Sequence, residues 1–370
     1  MSELLPAPPR SVVVLKLSAL GDVCHTLPVV RTLQRSWPGA RFAWIIGRSE
    51  ARFLEHIHDI EFVEFDKRAG LAAYRTVRAA LRGRPIDLLL HMQFAWRASL
   101  IAATLRAPVK LGYDRERALD LQWLFTTHRI APAPREHVMD ALFGFARRLG
   151  IEQREYRWDI PVPETARHYA AQHLPDDVRA LIISPCSSHV ARNWHAAGYA
   201  AVADHAVHNL GLKVLICGGR TLLEQRMGEE IAARMRSPCT NLVGRDTLLE
   251  FYALLARARV LVTPDSGPAH MATSLGVPVV GLYAATNPAR SGPYFSRDLC
   301  VDRFDEAARR YLGRPAAALP WRTKIERPGV MDLIEPGEAI AKLEAALRGP
   351  RRLGPDSRPA AASGAAPSAR

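Results

Sequence analysis

Ser11-Val12-Val13-Val14-Leu15-Lys16-Leu17-Ser18-Ala19-Leu20-Gly21-Asp22-Val23 decides how the chain is read. Residues 11–17 are β-branched at their centre and apolar apart from Ser11 and Lys16, which marks a buried strand. From residue 23 to 36 the apolar positions Val23, Leu27, Val30 and Leu33 recur at helical spacing, with Gln34 at the edge of the stripe. A strand, a short loop with a glycine and an acid, and then a helix make up the opening of a βαβ unit.

Outward from this unit the pattern repeats. Residues 41–46 (RFAWII), 61–65 (EFVEF) and 87–91 (DLLLH) read as further strands, with a helix expected over 69–82. Residues 110–127 fit neither period. Residues 153–163 break the series with Pro161 and Pro163 in an extended stretch, which places an interdomain linker there. The series then restarts, with strands expected at 180–184 (ALIIS), 213–217 (KVLIC), 259–263 (RVLVT) and 277–282 (VPVVGL). Helices are expected at about 196–209, 222–235 and 247–257, with a short one between the last two strands and a final one over 334–348. Alternation at this spacing specifies parallel sheets. The chain is therefore α/β, with two Rossmann-like domains facing each other across a cleft. Ligands of such sheets bind beyond the carboxyl ends of the strands, so the strand-to-helix loops are where chemistry is sought.

The first loop holds Ser18, Gly21 and Asp22. Gly21 permits a tight turn or the close approach of a ligand. Asp22 stands at or near a helix N-terminus and admits two readings. It is a favoured N-cap, or a carboxylate at the cleft mouth that accepts a proton from an attacking hydroxyl. The helix end stabilises the anion and lowers its basicity, so proton transfer would depend on the hydroxyl acidifying as its new bond forms. His25, one turn on, is either a partner of Asp22 or a packing residue.

The second series opens on a loop with Ser187, Ser188 and Arg192. Two hydroxyls, a guanidinium and backbone N–H groups suit a diphosphate; a solvated serine-rich loop is the alternative. The richest stretch is Thr263-Pro264-Asp265-Ser266-Gly267-Pro268-Ala269-His270. Asp265 and Ser266 can cap the helix that follows, while Gly267 keeps its first turn open. A phosphate above that N-terminus meets free N–H groups and the positive dipole end, with His270 one turn in as a donor. Glu224, after Gly218-Gly219, either accepts hydrogen bonds from a nucleoside ribose or serves its own helix dipole. Neither loop carries G-x-G-x-x-G or G-x-x-x-x-G-K-[ST], which argues against NAD dehydrogenases and P-loop NTPases.

The bulk numbers fit this plan. With 370 residues, 48% of them hydrophobic, each half is large enough to bury its own core. No apolar run approaches the roughly 20 residues that cross a bilayer. Residues 1–10 hold three prolines and one arginine and lack the order of a secretory signal, so cytoplasmic residence is expected. Cys24, Cys186, Cys217, Cys239 and Cys300 are scattered without a C-x-x-C pair, as reduced thiols are. No H-E-x-x-H or Cys/His cluster occurs, and no metal site is expected. Formal net charge is +13; residues 349–370 hold four arginines against Asp356, a net of three, so about +10 belongs to the body. Such a surface suits anionic lipid or a phosphorylated substrate, with an arginine-rich composition as the plain alternative. Nucleic acid is not expected, since the basic residues are not interleaved with aromatics and no recognised module appears. Residues 349–370, rich in Pro, Ala, Ser, Gly and Arg, are expected to be disordered.

Three stretches together resemble glycosyltransferase family 9, the ADP-heptose:lipopolysaccharide heptosyltransferases. They are Lys16-Leu17-Ser18-Ala19-Leu20-Gly21-Asp22-Val23-Cys24-His25-Thr26-Leu27-Pro28, Pro264-Asp265-Ser266-Gly267-Pro268-Ala269-His270, and Gly281-Leu282-Tyr283-Ala284-Ala285-Thr286-Asn287-Pro288. The likeness covers nearly the whole chain except the tail. It implies a GT-B fold and an inverting, metal-independent transfer of heptose from ADP-heptose to a lipopolysaccharide inner-core acceptor, Kdo–lipid A or heptosyl core. By it Asp22 is the catalytic base, with Ser18, Gly21 and His25 supporting its loop or the acceptor. Ser187 and Ser188 stand where the family places hydroxyls near the diphosphate, and Glu224 matches the acid that reads the nucleoside. Asp265, Ser266, Gly267 and His270 correspond to donor-site residues. Arg192 stands where members of the first-heptose type carry lysine, so a fork replaces a point charge. The opening motif is nearer the first heptosyltransferase than the second, and the loop 187–194 departs from both.

The resemblance further implies an extension at 1–10, an acceptor domain at 11–155, a nucleotide-sugar domain at 156–348 and a tail at 349–370. It implies no cofactor or metal beside the donor, and an anionic lipid acceptor met at the inner face of the inner membrane. Two other readings stand beside it. One is a transferase of the same fold with another nucleotide sugar or acceptor. The other, of a different class, is a non-catalytic sugar-nucleotide-binding protein, against which the retained Asp22 counts.

Overall fold

Each series folds as a wound parallel sheet in the computed structural model, which describes residues 4–350. The first sheet contains β1 (Ser11–Leu15), β2 (Arg41–Gly47), β3 (Glu61–Phe65), β4 (Leu88–His91), β5 (Val109–Gly112) and β6 (His128–Arg129). Its order is β3-β2-β1-β4-β5-β6. Between and after these strands run α1 (Leu20–Ser36), α2 (Arg48–Leu54), α3 (Leu71–Ala80), α4 (Trp96–Thr104) and α5 (Val138–Arg148). Then comes α6 (Glu164–His173), ahead of the second sheet.

That sheet contains β7 (Ala180–Ile183), β8 (Lys213–Ile216), β9 (Thr240–Asn241), β10 (Val260–Pro264), β11 (Val279–Tyr283) and β12 (Val301–Asp302), ordered β12-β11-β10-β7-β8-β9. Its helices are α7 (Ala196–His208), α8 (Leu222–Arg234), α9 (Leu248–Arg257), α10 (Gly267–Ser274), α11 (Pro288–Ser291), α12 (Phe304–Leu312) and α13 (Pro336–Arg348). Counted within each half, both orders are 3-2-1-4-5-6. The strand order therefore reverses between β1 and β4 in one sheet, and between β7 and β10 in the other.

Burial explains why these strands are apolar on both faces. Val12 and Val14 point into one core and Val13 and Leu15 into another, because successive side chains alternate across a sheet covered on both sides. Residues 110–127 show no period because they hold only the end of the four-residue β5, a loop and a 3-10 turn at Gln122–Phe125; the two-residue strands β6, β9 and β12 lie at sheet edges.

The two halves share more than a cleft. The core containing Val12, Val14 and Leu27 continues into Leu254, Ala269 and Met271 of the second half. Phe53 meets Tyr252 edge-on at 5.1 Å between ring centroids. The stretch 153–163 has no helix or strand, yet it is fastened down. Trp158 is buried and its Nε1 donates to the Cys24 carbonyl at 2.6 Å. The buried Arg31 guanidinium pairs with Asp159 at 2.8 Å and also with Asp59. The tail, apart from Gly349 and Pro350, lies outside the described residues.

Candidate active site in the cleft

Both candidate loops sit where their sheets reverse order, the place at which a wound sheet leaves a crevice between diverging crossovers. The loop after β1 starts at Lys16, and its neighbour after β4 supplies Gln93. Gln93 Oε1 accepts from the Leu17 and Ser18 N–H groups at 3.1 and 3.3 Å, which fixes the path of the first loop.

Helix α1 begins at Leu20 with Ala19 as its cap residue, three residues before the apolar stripe starts, so Asp22 lies inside the first turn and does not cap it. Its carboxylate turns to Lys16: Nζ donates to Oδ2 at 2.8 Å. The Lys16 side chain is 2% exposed and that of Asp22 38%, so a buried ammonium anchors a carboxylate that reaches the opening. Lys16, the lone charge in the run 11–17, is the sequence signal for this pair, although the spacing gives it no role by itself.

Across the cleft, α10 begins with Ser266 at the cap position, but neither Ser266 nor Asp265 caps it. Ser266 Oγ hydrogen-bonds Thr263 Oγ1 at 2.8 Å, and Asp265 Oδ2 accepts from Arg192 at 3.3 Å. The capping expected of these two residues is thus not made, because their side chains find partners on β10 itself and on the neighbouring loop after β7. Gly267 N–H is left at an open helix end. Arg192 closes the short 3-10 turn Val190–Arg192 and is held from the other side by Glu326 at 2.8 Å. Ser187 is buried, its N–H bonded to Asn193 Oδ1 at 2.7 Å, and Ser188 is exposed. Glu224 is a capping-box residue of α8: its carboxylate accepts from Gly219 N–H at 2.8 Å and Thr221 Oγ1 at 2.6 Å. That arrangement accounts for the residue locally and fixes the carboxylate at the end of β8.

Three histidines line the seam between the halves. His25 meets His270 at 4.3 Å and His137 at 5.5 Å, each edge-on. His137 donates from Nε2 to the Gly292 carbonyl at 2.9 Å, since its Nδ1 accepts from Met139 N–H. Burial holds all three below the usual histidine range, His137 at about 4, and for His25 the neighbouring His270 and His137 push the same way. His25 is therefore a packing residue on the seam rather than a hydrogen-bonded partner of Asp22. Among the described residues no helix is long and apolar enough to cross a membrane.

The sequence reading missed the basic wall of this cleft. Arg290 lies in the last turn of α11, Arg322 and Lys324 follow on the segment before α13, and Arg117 comes from the first half. Arg117 is buried and paired with Asp114 and Glu136. Arg322 reaches across the cleft, donates to the Arg117 carbonyl and lies 4.3 Å over the Phe94 ring, which in turn stacks on Tyr113 at 4.1 Å. These residues are far apart along the chain and show no motif.

Comparisons with known proteins agree with this fold. The profile of glycosyltransferase family 9 (heptosyltransferase) matches residues 74–321. The lipopolysaccharide core heptosyltransferase OpsX of Haemophilus influenzae is 35% identical over 336 residues, which cover 91% of this chain and 96% of that protein. The solved glycosyl transferase family 9 structure from Veillonella parvula superposes with a TM-score of 0.78 at 23% identity, covering 92% of this chain and 97% of the other. E. coli heptosyltransferase WaaC with ADP gives 0.68 at 18% identity, covering 91% and 99%. The two structures share the GT-B fold expected from the sequence.

Proposed function

The chain belongs to glycosyltransferase family 9, the heptosyltransferases, and from that premise we propose that it moves a heptose from ADP-heptose to a lipopolysaccharide inner-core acceptor. The transfer is a single inverting displacement that uses no metal ion. One observation carries the reading: the carboxylate of α1's first turn and the uncapped end of α10 open into the same cleft.

Asp22, anchored by Lys16, takes the proton of the acceptor hydroxyl. The hydroxyl oxygen bonds to the anomeric carbon as the bond from that carbon to the phosphate oxygen breaks, and ADP leaves with the electron pair. Charge gathers on the diphosphate, where the Gly267 N–H at the helix end, the hydroxyls of Ser187 and Ser188, and Arg192 receive it. Fixed dipoles aimed at a leaving group do the electrostatic work that a bound cation does elsewhere. Glu224, held by Thr221 and Gly219, keeps lone pairs for the ribose hydroxyls. The basic body suits an anionic lipid met at the membrane surface. A panel of nucleotide sugars and truncated core lipids tests the reading, with products identified by mass and the anomeric centre by NMR. Transfer of heptose with inversion in the presence of a chelator is expected; no heptose product from any acceptor would end it.

A further inference from the structure

The first half carries a face that the proposed transfer does not use. Helices α3 and α4 and the 3-10 turn Gln122–Phe125 lie over one side of the first sheet, where Val77 and Ile101 pack on Val13 and Leu15, with Phe125 at the edge of that core. The second half joins the core on the other side, the one that holds Val12 and Val14. The outside of the α3–α4 layer is therefore left to solvent.

That outside is not polar throughout. Along α4, Trp96, Leu100 and Ala103 recur at i, i+4 and i+7 and all are exposed, so the water-facing stripe of this helix is apolar. Leu119, Leu121 and Leu124 extend it from the segment after β5, and the five large side chains are between 36% and 57% exposed. The two elements form one surface: Trp96 N–H donates to Asp120 Oδ2 at 3.0 Å, and the Trp96 ring meets Phe125 edge-on at 5.5 Å. Leu121 has a φ of 55°, a left-handed conformation that costs a leucine free energy, and its side chain regains nothing by burial. Single exposed leucines are ordinary, whereas a contiguous apolar face marks a contact site.

Charge says what the face meets. Residues 67–129 hold twelve lysines and arginines against four acids, and the stretch 67–84 holds no acid. Three of the four acids are engaged: Asp87 with the Arg10 and Ser11 N–H groups, Asp114 with Arg117, and Asp120 with Trp96. Exposed Arg97 follows Trp96 on α4, exposed Arg75 and Arg78 lie on the adjoining α3, and the Arg115 guanidinium stands 4.8 Å over the Trp123 ring. Tryptophan and leucine inside a rim of positive sign match an anionic lipid surface, whose headgroups attract the rim and whose acyl region takes the apolar side chains. A second copy of the chain would set like charge against like. Residues 351–370 bring four arginines, one aspartate and one large apolar side chain, Leu353, so they do not complement the face either.

We infer that the exposed face of α4 and the segment 119–124 is a docking surface for an anionic phospholipid bilayer. The inference rests on the proposed transfer for the lipid-borne acceptor alone; docking itself needs no turnover. Gln93, which fixes the path of the Asp22 loop, precedes Trp96 by three residues, so the contact lies beside the loop that carries the proposed base. A bilayer held there presents a lipid-anchored sugar at the mouth of the first half.

The full chain is floated with acceptor-free vesicles of phosphatidylcholine, alone or mixed with phosphatidylglycerol. Wild type is compared with Leu121→Ser/Leu124→Ser, Arg97→Glu and Trp96→Phe. Wild type is expected to float with the mixed vesicles and to stay behind with the neutral ones. Partitioning should fall about tenfold or more in the double leucine variant, and by a similar factor in Arg97→Glu, which reverses a charge at the surface. Brominated acyl chains should quench the tryptophan fluorescence of wild type, and Trp96→Phe should remove most of that quenching while still floating. With a deacylated, water-soluble acceptor kcat and KM should be unchanged in every variant, whereas KM for the vesicle-borne acceptor should rise in the double leucine variant and in Arg97→Glu. Thermal unfolding should not move, because these side chains are exposed. Equal flotation of wild type and variants would overturn the docking surface, as would a wild type that binds neither kind of vesicle. A dimer that the double leucine variant takes apart in sedimentation would give the face to a second copy and overturn it too. A wild type that transfers no heptose ends the reading above, while flotation and quenching still decide the surface.

Discussion

A Cβ on Gly21 would lie 2.3 Å from Cδ2 of His270, a residue of the opposite half. The glycine is required by contact rather than by backbone conformation, since it lies in the first turn of α1. Its missing side chain lets the helix that carries Asp22 and the first turns of α10 approach. Gly21→Ala should therefore destabilise by about 1–3 kcal/mol through overpacking, against a helix-propensity gain of up to about 1 kcal/mol. In a His270→Ala background the same substitution should cost less than about 0.5 kcal/mol or stabilise. Urea unfolding of the four proteins of this cycle checks it; equal costs in both backgrounds would remove the contact from the account.

Asp22→Asn keeps the shape of the side chain and removes the proton acceptor. Turnover should fall by roughly 10²–10⁴-fold, with ADP Kd unchanged because the proposed donor groups lie on the other half. Stability should also fall, since Lys16, 2% exposed, loses its counter-charge. Single-turnover product formation beside calorimetric ADP binding separates these effects. Transfer at the parental rate would exclude Asp22 as the base.

Stability should fall on mild acidification. His25, His91, His137 and His270 are held neutral in the fold by burial, His91 at about 3 and His137 at about 4. Unfolded imidazoles take protons below about pH 6.5, where the folded ones do not, so their contribution is full above that pH and is lost as the pH falls toward the folded values. Asp246 works the other way: burial raises it to about 7, so the fold keeps a proton that the unfolded chain gives up above 3.8. Four imidazoles outweigh Asp246 and the two other carboxylates that burial raises, Glu50 and Asp302. The urea midpoint should be lower at about pH 5 than at about pH 7.5, and Asp246→Asn should steepen the difference. A midpoint independent of pH would contradict this.

Acceptor binding should weaken with salt more than ADP binding does. Raising ionic strength from about 0.1 M to about 1 M shortens the screening length from about 10 Å to about 3 Å. The net charge of +13 would spread attraction to an anionic lipid over the surface, whereas the proposed ADP contacts are local ones at the loop 187–192 and the end of α10. Acceptor KM and ADP Kd measured across that range decide it; parallel changes would leave no role for the basic body.

The sequence was most legible where local periodicity and burial coincide. The apolar runs at β1, β4, β7 and β10 mark strands covered on both faces, and the two motifs at their ends lie at the two points where strand order reverses. The site was half legible. Asp22 and the 265–270 stretch lie in the facing loops where they were sought, but the start of α1 and the duties of Asp265 and Ser266 were misread. Ala19 takes the cap position and Arg192 takes the Asp265 carboxylate, outcomes that depend on neighbours outside the local pattern.

Short-range pattern by itself determined the class of fold and the loops where chemistry is sought, because strand burial and helical spacing are written within a few residues of chain; the family was legible in the resemblance of the three quoted motifs. Only the tertiary structure decided which charges meet. Arg322 reaches the Arg117 carbonyl, His270 fills the space that Gly21 leaves, and Lys16 stands behind Asp22. Electrostatic and steric contacts act through space and leave no period along a sequence, so the basic wall became visible only once the two sheets stood face to face.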